Sequence, residues 1–228
     1  MNNAADKSED TLRISLDAKD KVKIGNLSRG GKNRKTIHAD DHDFGVVGTL
    51  VPVGLYLPKE KDLSFYMVRS KVTSDCIVDI LENWWSLNKG KYQQVNQLLI
   101  NLDNGPDQNS QRTQFIKRIQ EFADKEKLQI HLAYYPPYHS KYNPVERTFG
   151  TLEQYWSGEI LDSEETVIGY AKSMKFSEKH PTVSLVTKTY KKGVKVGKKI
   201  MNKIKSDLQR TKGIEKYSVI FKPRLDSG

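Results

Sequence analysis

The sequence has one cysteine, no long apolar run, no internal repeat and no low-complexity tract. A lone thiol excludes an intramolecular disulfide, and Cys76 sits on a helical stripe with Ile77, Ile80, Leu81 and Trp84, a place for packing rather than reactivity. No apolar stretch reaches the roughly 18 residues of a membrane span, and no charged-then-apolar leader precedes a small-residue cleavage site. A cytoplasmic protein is therefore expected, with no membrane partner. The Gly-Gly loop in KIGNLSRGGKNRK offers Arg29, Lys32, Arg34 and Lys35 to phosphates, but it lacks the Lys-Ser ending and the spacing of a P-loop, which excludes nucleoside triphosphate binding by that motif.

What is present is positive charge, unevenly placed. The 228 residues carry a formal charge of +10, and Ala171 to Gly228 alone holds sixteen Lys/Arg against four Asp/Glu. That segment has a net charge of +12 and the remainder −2. A block of this kind reads as a surface for a polyanion, nucleic acid above all, with a solvated lysine face as the bland alternative.

Residues 1–10 are polar and without pattern, and are expected to be disordered. Alternation of Leu12, Ile14 and Leu16 predicts a strand that delivers Asp17 near its end. VVGTLVPVGLYLP and LSFYMVRS predict an antiparallel pair joined by a PKEKD turn, and TSDCIVDILENWWSL a helix capped by Thr73 or Ser74. NQLLINLD reads as a strand buried on both faces, ending in Asp103 before an Asn-Gly-Pro turn. RTQFIKRIQEFADKE is an amphipathic helix through Phe115, Ile119 and Phe122, and LQIHLAYYP a further apolar strand. In HSKYNPVER, Asn143 is a good N-cap, Pro144 suits the first helical position, and Glu146 the third. The helix it starts would bury Val145, Phe149, Leu152 and Trp156 and leave Glu146 beside that stripe.

Hairpin strands first and alternating elements afterwards predict an α/β fold of the ribonuclease-H-like type, a mixed five-stranded sheet with helices on both faces. Ligands of such sheets gather beyond the strand carboxyl ends, so Asp17 and Asp103 would meet if their strands are neighbours, with Glu146 closing the triangle. Three clustered carboxylates repel unless a hard cation compensates them, which points to Mg²⁺ or Mn²⁺. Taken singly, each acid also has a structural reading: Asp17 and Asp103 as turn residues, Glu146 as a capping acid. Asp40 to Asp43, with His42, is a competing cluster better read as a solvated turn, and Glu153 is the rival third acid.

SLDAK, INLDNGP, YYPPYHSKYNPVER and FGTLEQYWSG together resemble the DDE transposases of bacterial insertion sequences, a mariner-like branch near the Rhodopirellula-type group, from Thr11 onward. The resemblance implies that Asp17, Asp103 and Glu146 are the catalytic, metal-binding acids, the last two 43 positions apart. It implies two Mg²⁺ or Mn²⁺ ions, hydrolysis of a phosphodiester at the element end, and attack of the freed 3′-hydroxyl on target DNA. DNA is the implied partner, with a homodimer or higher assembly allowed in the DNA complex, at the bacterial nucleoid. Phosphate contacts are expected from Lys19, Lys21, Arg29, Lys32, Arg34, His139, Lys141 and Arg147, and from Lys191, Lys192, Lys198 and Lys199 in the C-terminal block.

The expected organisation is a disordered segment 1–10, a catalytic domain 11–170 and a basic extension 171–228. Ten residues before the first strand are too few for the helix-turn-helix such families use on their terminal repeats, so a truncated or fragmentary copy is expected. The alternative is a catalytically silent DNA-binding remnant. A related nuclease acting on RNA hybrids is disfavoured by the specific motif.

Overall fold

The computed structural model describes residues 1–31, 39, 45–136, 139 and 142–224. The chain divides into two compact units, Met1–Leu16 with Lys71–Asn143 and Tyr190–Gly228, and Asp17–Ser70 with Pro144–Thr189. Each is built from stretches distant in sequence, so neither ends at the expected boundary of residue 170.

In the first unit, β1 (Thr11–Ala18, which continues into the second unit), β5 (Gln97–Leu102) and β6 (Gln129–Tyr134) run parallel in that order. The strand β9 (Ser218–Phe221) lies antiparallel to β6 and carries the short β8 (Gln209–Arg210) outside it. Five of the six residues of β5 are buried, as its unbroken apolar run predicts. Leu99 and Ala133 cluster with Ala5 of helix α1 (Asn2–Lys7), while α3 (Thr113–Glu126) packs against β6 and β9. Helix α3 buries Phe115, Ile119 and Phe122 and also meets α2 (Ser74–Asn88), whose start is capped by Thr73 accepting from the Cys76 amide.

In the second unit, β2 (Val22–Gly25), β3 (Val46–Leu57) and β4 (Asp62–Val68) are antiparallel neighbours, and β7 (Thr182–Val186) joins β4 in parallel. One apolar cluster unites the sheet residues Leu50, Phe65 and Met67 with Phe149, Leu152 and Trp156 of α4 (Glu146–Trp156) and Val167 and Ala171 of α5 (Glu164–Ser173).

Three expectations are corrected. The described residues form nine strands rather than five. Residues 2–7 form helix α1, held because Ala5 is buried and Asp6 pairs with Arg13 at 2.7 Å. The basic extension is no appendage: it supplies β7 to one unit, and α6 (Lys198–Asp207), β8 and β9 to the other. Pairing with β9 covers the edge that β6 would otherwise expose. Among the described residues no helix is long and apolar enough to cross a membrane.

Helix α2 carries Asp75, Asp79 and Glu82 at helical spacing, three like charges on one face. Arg118 of α3 reaches all of them, at 3.0, 2.9 and 3.3 Å. Burial opposes its charge, yet its hydrogen bonds to Asp79 and Asp75 outweigh that and raise its pKa above the ordinary guanidinium value. Replacing Arg118→Met is expected to cost about 2 kcal/mol in urea unfolding, since it leaves the carboxylates facing one another. Adding Asp79→Asn should recover part of the loss; equal urea midpoints for wild type and Arg118→Met would contradict this role of Arg118.

Candidate active site

The parallel ladder between β1 and β5 runs from Thr11↔Gln97 to Ser15↔Asn101. Asp17 and Asp103 each stand two residues beyond its last pair, on their own strands. Asp17 is the penultimate residue of β1 and only 5% exposed, with Oδ1 accepting from the Ala18 amide at 2.8 Å. Asp103 directly follows β5 and is half-buried. Its Oδ1 accepts from the Gly105 amide at 3.1 Å and from the Gln108 side-chain amide in a short hydrogen bond. A Cβ on Gly105 would lie 3.1 Å from that same oxygen, so the carboxylate is seated closely against the turn.

Glu146 is the first residue of α4, not the third, and is half-buried. Val145 occupies the cap position and makes no side-chain cap bond. Asn143, expected to cap, is fully buried and committed elsewhere: it accepts from the Ser15 hydroxyl at 2.5 Å and donates to the Leu16 carbonyl at 3.3 Å. Its amide is spent on β1, immediately before Asp17. The predicted apolar stripe of α4 is correct, with Val145, Phe149, Leu152 and Trp156 all buried. Gly54 of β3 permits that seating, because a Cβ there would come within 2.6 Å of Val145 Cγ2 and 3.1 Å of the Phe149 ring.

One carboxylate on α4 is engaged by cations. Glu153 pairs with Lys19 at 2.8 Å and with Arg29 at 2.8 Å, and the Arg29 guanidinium lies 5.3 Å from the Trp156 ring centre. Burial works to raise the Glu153 pKa, but the hydrogen bonds from Lys19 and Arg29 prevail and hold it below the usual value. Two residues expected at phosphates therefore face a protein carboxylate.

Of the other expected contacts, Lys21 and Arg147 are exposed, and exposed His139 stacks on Tyr142 with ring centres 5.8 Å apart. Lys191, Lys192, Lys198 and Lys199 are exposed and make no ion pair among the described residues. Lys32, Arg34 and Lys141 lie outside the described residues, as does the cluster Asp40, Asp41, His42 and Asp43. Among the described residues no group of three or more His, Cys, Asp or Glu could hold a metal ion. Asp17 and Glu146 belong to one unit and Asp103 to the other.

Residues 1–223 match the family described as the Rhodopirellula transposase DDE domain. No curated protein matches the sequence at a significant level. Among solved structures the chain is similar to a Mos1 transposase paired-end complex with the left transposon end, at 14% identity and a TM-score of 0.51, over 74% of this chain and 49% of that one. It is also similar to a Mos1 mariner paired-end complex with Mn, at 13% identity and a TM-score of 0.50, over 70% of this chain and 46% of that one. The chain spans about half the length of these proteins. The likeness is one of fold, a ribonuclease-H-like mixed sheet with helices.

The Asn143 side-chain amide accepts through its oxygen and donates through its nitrogen, and β1 engages both atoms. Asn143→Asp keeps the acceptor and sets a carboxylate against the Leu16 carbonyl. It is expected to cost about 2 kcal/mol at neutral pH, a loss that shrinks on acidification as the new acid gains a proton to donate. Urea melts at about pH 7 and about pH 4.5 measure both values; a cost that does not change with pH would refute the assigned bonds.

Proposed function

Because the chain belongs to the Rhodopirellula transposase DDE domain family, we propose that it is the catalytic part of a DNA transposase that cuts a phosphodiester at an element end and joins the freed 3′-hydroxyl to target DNA. The observation that carries this reading is the β1–β5 ladder, whose last pair Ser15↔Asn101 is followed two residues later on each chain segment by an acid, Asp17 and Asp103. Glu146, leading α4, is the third acid.

The donor chemistry fits hard divalent ions. Three carboxylates supply only oxygen, and Asp103 directs both of its hydrogen bonds to Oδ1, keeping Oδ2 without a donor among the described residues. Mg²⁺ or Mn²⁺, two ions in all, would supply a lowered pKa for the attacking water or 3′-hydroxyl and compensation for phosphate charge. The chain's own residues do the positioning. Asn143 bonds Ser15 and Leu16, the two residues before Asp17, the Gly105 amide donates to one oxygen of Asp103, and the helix N-terminus favours the charge on Glu146.

DNA binding rests on a different set of residues. Lys188 to Lys205 holds eight lysines and no acid. Met201 and Ile204 bury one face of α6, while Lys199 and Lys203, one turn apart, are exposed. Such a surface suits the DNA backbone rather than bases.

Asp103→Asn is expected to abolish Mn²⁺-dependent cleavage of duplexes bearing the matching element ends, with an unchanged circular dichroism spectrum. Cleavage that survives in this variant would defeat the proposal, and chelator-insensitive DNA binding with no cleavage by wild type would identify a silent remnant instead. Replacing Lys191, Lys192, Lys198 and Lys199 by Gln should weaken binding equally across sequences and flatten the slope of log affinity against log salt by about 0.9 for each phosphate no longer neutralised. An unchanged slope would remove these lysines from the interface.

A further inference from the structure

The loop Asp103 to Arg112 between β5 and α3 is braced from three sides. The Ser74 hydroxyl donates to the Asp107 carbonyl at 2.5 Å, the Tyr134 hydroxyl to the Gln108 carbonyl at 2.8 Å, and Arg210 to the Ser110 carbonyl at 2.5 Å. Tyr134 is buried, which raises its pKa well above the ordinary phenol value and keeps it a donor. These bonds hold the backbone of Gln108, whose side chain is 5% exposed and turns back to Asp103.

The orientation of that side chain follows from chemistry. An ionised carboxylate only accepts, so the amide nitrogen must face Asp103 and the amide oxygen must point away. That oxygen, Oε1, is buried without a partner among the described residues. A buried unsatisfied amide oxygen works against folding. A methionine or leucine at this position would fill the same space without that cost, but would leave Asp103 without its side-chain donor. With the Gly105 amide the Gln108 side chain donates to Oδ1, and Oδ2 has no donor among the described residues.

We infer that Gln108 is a positioning residue that orients the Asp103 carboxylate, presenting Oδ2 to a divalent cation. The inference rests on the proposal that Asp103 is a cation ligand, and it adds a residue of the loop, five positions further on, to that site. Gln108 touches neither the cation nor the DNA; it acts through Asp103.

The test uses the full chain and Mn²⁺ as the probe, with free Mn²⁺ read by electron paramagnetic resonance. Wild type should bind Mn²⁺, Asp103→Asn should lose that binding, and Gln108→Met should weaken it about 10- to 100-fold, the usual effect of removing a partner of a metal ligand. Thermal midpoints of wild type and Gln108→Met should agree within about 3 °C. Absence of Asp103-dependent binding in wild type overturns the cation reading itself. Binding in wild type that Gln108→Met retains undiminished overturns only the role of Gln108, as does a midpoint depressed far enough to explain the loss by unfolding. A second measurement needs neither metal nor a stable variant at 108. In metal-free wild type one Gln108 side-chain amide proton should resonate downfield and exchange slowly, and should return to the ordinary position in Asp103→Ala. Two ordinary amide protons in wild type would also overturn the inference.

Discussion

The buried Asn143 side chain accepts from Ser15 and donates to Leu16, and much of the candidate site depends on that pair of bonds. A strand end offers a hydroxyl and a carbonyl, one donor and one acceptor, and a primary amide is the side chain that answers both at once. An apolar replacement would satisfy neither group in a place with no access to water. Asn143 is thereby bonded to β1 at the two residues before Asp17, and it stands three residues before Glu146. Glu146 then heads its helix, where the exposed backbone amides favour a carboxylate, and its side chain has no capping duty to perform.

Charge is distributed in two distinct ways. Some cations are matched: Arg13 to Asp6, Arg118 to three acids of α2, Arg224 to Asp124, and Lys19 and Arg29 to Glu153. In the C-terminal segment the exposed Lys191, Lys192, Lys198 and Lys199 have no such ion pairs among the described residues. The difference has a physical consequence. A lysine already neutralised by a carboxylate releases no counterion from DNA without first losing its partner, whereas an unpaired one is stabilised directly by a phosphate. The net charge of +10 therefore understates how strongly the unpaired surface attracts a polyanion.

Much of this fold was legible in the sequence wherever burial and local pattern agree. The unbroken apolar run of β5, the 3.6-residue period of Phe115, Ile119 and Phe122, and the stripe from Val145 to Trp156 each correspond to an observed element. The misses have a common cause. β7, β8 and β9 are short, and their lysine-rich surroundings mask a period that only the pairing of β7 with β4, β9 with β6 and β8 with β9 makes meaningful. Helix α1 carries no sequence signal because it has one buried residue, Ala5, and no apolar period. The candidate acids Asp17, Asp103 and Glu146 are marked by strand ends and motif, whereas the role of Asn143 is hidden because an Asn-Pro-x-Glu string satisfies the capping rules on local grounds alone. Tertiary demand from Ser15 and Leu16 overrode it. Gln108 had no sequence signal: its only distinction is a hydrogen bond made from a loop whose shape is set by Ser74, Tyr134 and Arg210.

Glu146 and Glu153 both lie on α4, and their surroundings separate them as candidates for the third acid of the proposed site. Glu153 receives two cationic donors that offset its partial burial, so its pKa is held low by charges that would repel an incoming Mg²⁺ or Mn²⁺. To become a ligand it would have to release Lys19 and Arg29, and Arg29 is further held by its approach to the Trp156 ring. Glu146 makes no ion pair among the described residues and stands at the favoured end of the helix. A carboxylate that is not neutralised is the one with charge left to offer a cation. Glu153 instead supports the site at one remove, since by holding Lys19 it anchors the chain two residues beyond Asp17, where the Lys19 amide also donates to the Pro52 carbonyl at 2.8 Å.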